Sequence, residues 1–142
     1  MTRYLVTLLA ASLLMGCQTR ATEPADALYQ ALGERPGIEA IVEDLLFRIV
    51  EDERIAFQFR GIDVQQFIGG LSDQICELSG GPCQYTGKDM VTVHRGMAIS
   101  DSQFNAVAEH LVLAMEKQRV TTGAQNRLLA LLVPMYPDIV RQ

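Results

Sequence analysis

The sequence DVQQFIGGLSDQICELSGGP, residues 63–82, has the pattern of a single amphipathic helix. Asp63 with Gln66 three residues later is typical of a helix N-terminus, and Gly80-Gly81-Pro82 is typical of a helix end. Between them, six apolar residues recur at i, i+3, i+4, i+7, i+11 and i+14, the spacing of one buried helical face. These residues are Val64, Phe67, Ile68, Leu71, Ile75 and Leu78.

The remainder of the chain repeats this helical spacing. Pro36 suits the first turn of a helix, and Ser100 with Gln103 and Thr122 with Gln125 are capping pairs that open two further helices. No alternating strand pattern competes, so the sequence predicts an all-α domain. The other predicted helices cover residues 28–32, 36–49, 88–95, 101–115 and 122–133.

Composition excludes several classes of protein. The chain has 142 residues, of which 49% are hydrophobic and 20% charged, which is enough apolar material for a core and excludes a disordered polymer. The formal net charge of −5 gives no support for a nucleic-acid partner.

The N-terminus has the features of an export signal. Arg3 precedes the uncharged run Tyr4–Met15, which is too short to span a membrane. The sequence Leu14-Met15-Gly16-Cys17 resembles the lipobox of bacterial lipoproteins, in which the peptide is cut before an acylated cysteine. We therefore expect a signal peptide at 1–16, a lipid-anchored tether at 17–26 and a folded domain at 27–142. Gln18 after Cys17 favours the outer membrane, facing the periplasm; the alternative is an ordinary signal peptide in which Cys17 is incidental.

The two histidines have different surroundings. His110 lies off the apolar face of its predicted helix, so we expect it to be solvated. Met90, Val93, His94 and Met97 are spaced i, i+3, i+4 and i+7, which places His94 among apolar side chains. From this spacing alone, His94 is either a satisfied core histidine or the ligand of a metal or cofactor, such as a haem iron.

The segments around His94 resemble the group I truncated haemoglobins. The resemblance extends from Leu28 to about Val140, and rests on the order and spacing of many short segments. They include Leu28-Tyr29, Asp52-Glu53-Arg54-Ile55, Gly61-Ile62-Asp63, Gly80-Gly81-Pro82, Tyr85-Thr86-Gly87-Lys88-Asp89-Met90, His94 with Gly96, and Val107-Ala108-Glu109-His110-Leu111. It implies a sandwich of two helices over two that encloses haem b, with His94 as the proximal iron ligand and Phe59 packed on the porphyrin.

The resemblance breaks down on the distal side of the expected pocket. Leu46 matches a position where the family usually has a tyrosine that donates a hydrogen bond to the gas ligand. Phe67 and Leu71 match positions where polar side chains are common, and Ile75 continues their face. This apolar wall predicts weak oxygen retention, although plain core packing explains the same residues. Gln74 is the one polar group that lies near this face.

Other residues are assigned more weakly. Met90 is expected to contact the haem, and Lys88 and Arg95 are candidate partners for the haem propionates. Cys76 and Cys83 flank a chain reversal and form a possible disulfide outside the cytoplasm; the alternative is two separate thiols. Gly69-Gly70, inside the third predicted helix, indicates either a flexible helix or close approach of the haem.

The predicted function is reversible binding of a diatomic gas (O2, NO or CO) at the cell envelope, without enzymatic turnover. Nitric oxide dioxygenation is not favoured, because it requires retained oxygen and a reductant, and the sequence contains no reductase domain. The expected partners are the gas, a lipid bilayer contacted through acylated Cys17, and an unidentified electron donor. The alternative is an envelope lipoprotein that uses the globin scaffold for protein contacts or for haem transfer.

Overall fold

The computed structural model describes residues 23–142. The predicted signal peptide, Cys17 and most of the tether lie outside these residues. Within them the protein is helical and has no strand, in agreement with the predicted all-α class. The α-helices are α1 (Ala27–Ala31), α2 (Glu34–Glu51), α3 (Val64–Leu78), α4 (Met90–His94), α5 (Asp101–Lys117), α6 (Thr122–Leu132) and α7 (Tyr136–Ile139), with 3-10 helices at Ala56–Phe59 and Val133–Met135.

Side-chain caps fix where the main helices begin. Asp63 accepts a hydrogen bond from the backbone N–H of Gln66 at the start of α3. Ser100 and Gln103 form a full capping box on α5. The cap of α6 is Thr121, which accepts from the N–H of Ala124, so the prediction that Thr122 is the capping residue is wrong by one residue. Each such cap contributes about 1 kcal/mol.

The helices pack as two pairs, one over the other. Helix α2 packs against α3 and α5, and α6 contacts both α3 and α5. The core between them is formed by fully buried aliphatic side chains from all four helices. Among these are Ile38, Ile41, Val42, Leu45, Ile49, Ile75, Ala114, Met115 and Leu128.

One ion pair and one hydrogen bond join the α2 segment to α5. Asp44, which is buried, pairs with Arg48 of its own helix and with Lys117 of α5. Just after the end of α2, the Asp52 carboxylate accepts a hydrogen bond from Nε2 of His110 at 2.7 Å. These two contacts show that α2 and α5 run antiparallel. The prediction that His110 is solvated is wrong, because its side chain is only 16% exposed beneath Asp52.

Helix α4 is short and is carried on a long connection from α3. It begins at Met90 rather than Lys88, because Asp89 takes the N-cap position and accepts from the N–H of Thr92. The chain after α4 is held by the C-terminus, where Arg141 donates to the Ile99 carbonyl and Ala98 donates to Gln142. Within residues 23–142, no helix is long and apolar enough to cross a membrane.

Candidate functional site

The His94 imidazole lies at the end of α4 and one of its nitrogens is committed to the backbone. Nδ1 is 2.8 Å from the carbonyl oxygen of Met90, one turn earlier. Since a carbonyl only accepts, Nδ1 donates its proton in this contact, and in the neutral ring Nε2 then carries the lone pair. Nε2 has no hydrogen-bond partner among residues 23–142, and the side chain is half-buried. This is the state of a histidine that is prepared to ligate a metal.

Three of the predicted distal residues lie together on α3. Ile75 is buried in the core cluster, and Phe67 and Leu71 are half-buried against it. Leu46 is buried on α2. The Phe59 ring meets the Phe67 ring edge-to-face, with centroids 5.6 Å apart. The structure therefore places Phe59 beside the apolar wall that the sequence predicted.

Gln74 joins this wall to the His94 side of the site. The residue is 8% exposed, and its Nε2 lies 3.6 Å from Met90 Sδ and 3.7 Å from Met135 Sδ. Thioether sulfur is a weak acceptor, so the amide is buried with only weak partners. Met135 was not predicted as a site residue, because it lies beyond Pro134, where the helical pattern of α6 ends.

The α3 helix leaves open space beside the site. A methyl group added at Gly69 or Gly70 would meet no other atom within 4 Å. Gly70 lies on the same helical face as Phe67 and Gln74, so the backbone itself is accessible to a bound group there. Close packing of another part of residues 23–142 does not explain these two glycines.

Charged residues border α4 at both ends. Lys88 and Arg95 are exposed and form no ion pair within the described part of the chain, so both are available to an anionic group. Asp89, between Lys88 and Met90, has a lowered pKa because the backbone N–H and side chain of Thr92 donate to its carboxylate. The cap of α4 is therefore charged at neutral pH.

Cys76 and Cys83 are joined as a disulfide in the structure, with Cα atoms 5.7 Å apart. Cys76 is buried near the end of α3, and Cys83 lies in the connection to α4. The bond therefore links the helix that forms the apolar wall to the segment that carries His94.

The side chains that could ligate a metal indicate which kind of metal centre this domain can hold. No group of three or more His, Cys, Asp or Glu side chains that could hold a bare metal ion occurs within residues 23–142. A single imidazole with an unpartnered Nε2, on the helix whose Met90 meets Gln74 of α3, instead suits an iron whose other ligands come from a porphyrin. The residues present therefore fit haem, and the helical fold and this ligand together define the class of protein as a haem globin.

Comparison with known proteins confirms this class and narrows it. Residues 27–140 match the family "Bacterial-like globin". The group 1 truncated hemoglobin GlbN of Mycolicibacterium paratuberculosis is 31% identical over 120 residues, covering 84% of this chain and 88% of that protein. GlbN of Nostoc commune is 34% identical over 104 residues, covering 73% and 86% respectively. The chain belongs to the bacterial-like globins and is a group 1 truncated haemoglobin.

A solved structure agrees with the two-over-two arrangement. The truncated hemoglobin of Tetrahymena pyriformis in its Fe(III) form superposes with a TM-score of 0.78 at 26% identity. The superposition covers 81% of this chain and 98% of that one. The fold and the haem cofactor predicted from the sequence are thereby confirmed, as is binding of a diatomic gas as the general activity.

Proposed function

We propose that this chain is a gas-binding globin of the cell envelope whose apolar distal wall lets oxygen leave quickly. The observation that carries the proposal is the chemistry of that wall: none of Leu46, Phe67, Leu71 and Ile75 has a hydrogen-bond donor. The buried amide of Gln74 lies beside the sulfurs of Met90 and Met135 instead.

The chain's own residues have separate tasks in this function. His94 Nε2 would ligate the haem iron, and the bond from Nδ1 to Met90 fixes the plane and tautomer of the ring. Phe59 and Phe67, whose rings meet edge-to-face, would exclude water from the pocket. Lys88 and Arg95 are placed to attract the propionates. The haem iron, when bound, supplies the coordination position at which the gas binds.

Loss of a distal donor changes the selectivity between gases. A net hydrogen bond is worth about 0.5–1.5 kcal/mol, and about 1.5–3 kcal/mol when one partner is charged. Oxygen gains most from such a bond because its bound form is the most polar, so its release here should be roughly 10- to 100-fold faster than from a pocket with a donor. Carbon monoxide and nitric oxide depend less on it, and an enzymatic dioxygenation that needs retained oxygen is disfavoured.

Restoring the missing donor tests the distal assignment. Leu46→Tyr should slow oxygen release by roughly 10-fold or more, because the phenol adds a donor worth about 1–2 kcal/mol to the wall. Leu46→Phe is the matched control, since it adds the same ring without the hydroxyl. Stopped-flow release rates should separate the two variants for oxygen and leave them alike for carbon monoxide. Equal oxygen rates for Tyr and Phe would refute the assignment of Leu46.

We also propose that acylated Cys17 anchors the domain in the outer membrane, facing the periplasm. Two observations support this: the lipobox-like segment before Cys17 lies outside the 27–140 family match, and the Cys76–Cys83 disulfide suits an oxidising compartment. An electron donor that keeps the iron ferrous would then have to be present in the same compartment.

The anchor is tested by Cys17→Ser. The unaltered chain should incorporate a labelled fatty acid and sediment with membranes, because acylation of the thiol is the attachment. The serine variant should do neither, and Cys83→Ser serves as a control for loss of a different cysteine. Equal labelling and sedimentation of the unaltered chain and Cys17→Ser would exclude the anchor.

A further inference from the structure

The connection between α3 and α4, residues 79–89, is held to the domain at its start, where Ser79 accepts from the Tyr29 N–H and the Gly81 N–H donates to the Cys76 carbonyl, but has few attachments beyond Cys83. Gln84 and residues 86–89 are exposed, and one hydrogen bond joins the 84–88 segment to α3, from the Tyr85 N–H to the Glu77 carboxylate at 3.3 Å. The Tyr85 hydroxyl donates to the Lys88 carbonyl, inside the connection itself. The Cys76–Cys83 disulfide is therefore the principal tie between α3 and the segment leading to α4.

The two sulfurs of this disulfide differ in access and in surroundings. Cys76 is fully buried in the core, whereas Cys83 is half-buried in the connection. Arg35 Nη1 lies 3.7 Å from Cys83 Sγ, and the guanidinium is held there by Glu39 at 2.6 Å and by Asp73. A cation beside a sulfur attracts an incoming thiolate and stabilises a thiolate formed at that sulfur, although the two carboxylates share its charge.

We propose that Cys83 Sγ is a site of thiol–disulfide exchange with small-molecule thiols, and that this exchange controls how firmly α4 holds the haem. The exchange site is supported by the difference in burial between Cys76 and Cys83 and by the contact of Arg35 with Cys83. The second part rests on the proposed function, because it concerns the haem that His94 would ligate.

The exchange has two steps. A thiolate attacks Cys83 Sγ and forms a mixed disulfide, while the Cys76–Cys83 bond breaks and its electron pair leaves on Cys76, which takes up a proton. A second thiolate attacks the small-molecule sulfur of the mixed disulfide and releases Cys83 as a thiolate beside Arg35. In total, two small thiols are oxidised to one disulfide and the protein disulfide is reduced to two thiols.

Breaking the disulfide affects the haem site through both of its cysteines. Cys76 directly follows Ile75 of the apolar wall, and Cys83 precedes α4 along the connection. The disulfide closes residues 76–83 into a loop and so restricts the motion of the connection. Breaking the bond removes this restriction. Since α4 carries the iron ligand, loss of this restraint should speed haem dissociation by about 10-fold.

The site of attack can be measured on the full chain carrying Cys17→Ser, so that only two cysteines are present. Limiting glutathione is added, the reaction is stopped with acid, and the peptide that carries the glutathione adduct is identified by mass spectrometry. We expect the adduct on Cys83, at a rate that Arg35→Gln lowers several-fold and Arg35→Lys largely preserves. Adduct on Cys76, or rates independent of Arg35, would overturn the exchange site.

The effect on haem is measured by transfer to an excess of a haem-accepting apoprotein. The disulfide-bonded chain should lose haem about 10-fold more slowly than the same chain after reduction. The Cys76→Ser, Cys83→Ser double variant should lose it quickly with or without reductant, which controls for effects of the reductant on the haem. Equal rates before and after reduction overturn the haem part. Absence of haem binding in both states would instead overturn the proposed function, and with it this part, while the exchange result stands.

Discussion

At the scale of single residues, Asp52 is the most heavily bonded carboxylate of the domain surface. Arg54 donates to it from its side chain and its backbone, and His110 lies 2.7 Å away. The Arg54 guanidinium, followed by His110, holds the pKa of Asp52 well below its usual value of 3.8. A carboxylate with a lowered pKa stabilises the fold above its unfolded-state pKa, and this contribution is lost as pH falls through the folded-state pKa.

The contribution of Asp52 to stability should therefore be complete above about pH 4 and decline progressively at lower pH. Asp52→Asn should lower the free energy of unfolding at pH 7, and the deficit relative to the unaltered chain should shrink as the pH falls below about 4, because the carboxylate of the unfolded chain takes up its proton before that of the folded chain. Denaturant unfolding across this range measures the difference. Asp138→Asn, at an exposed carboxylate without a hydrogen-bond or ion-pair partner in residues 23–142, is the control and should show no such trend. A deficit for Asp52→Asn that stays constant down to pH 2 would contradict the assignment.

The two histidines show what a sequence can and cannot predict about a single residue. His94 could be singled out because its apolar neighbours lie within one helical turn of it, and the resemblance then supplied its role. The role of His110 depends on Asp52, 58 residues away, and no local pattern encodes such a contact. The Gln74 contact with Met135 is equally distant, at a separation of 61 residues.

At the scale of elements, helices with side-chain caps were predicted most closely. Asp63 and Ser100 were identified as capping residues, and both helices begin directly after them. The errors occur where two neighbouring residues compete for the cap, as at Thr121 and Thr122. Helix α7 was not predicted, because Pro134 and Pro137 interrupt the helical pattern and its packing against α4 is a tertiary contact.

At the scale of the whole molecule, local periodicity predicted the helical class but not the arrangement of the helices. The two-over-two sandwich came from the resemblance, and the contacts of Asp44 with Lys117 and of Asp52 with His110 show how this sequence satisfies it with antiparallel α2 and α5. The C-terminal residues 141–142 return to hold residues 98–99 just after α4, which no pattern in either segment predicts. The domain thus fixes the short helix that carries His94 from three directions: the disulfide-tied connection, Gln74 of α3 and the C-terminus.

The central claim is that His94 ligates the haem iron, and an absorption spectrum tests it most directly. The full chain, reconstituted with haem and reduced, should show a sharp Soret band that shifts with carbon monoxide. His94→Ala should lose stable haem binding while keeping its helical circular dichroism, because the site is peripheral to the α2–α5 core. His110→Gln, which alters the other histidine, should keep the spectrum of the unaltered chain. A His94→Ala variant with an unchanged Soret band and carbon monoxide shift would contradict the account.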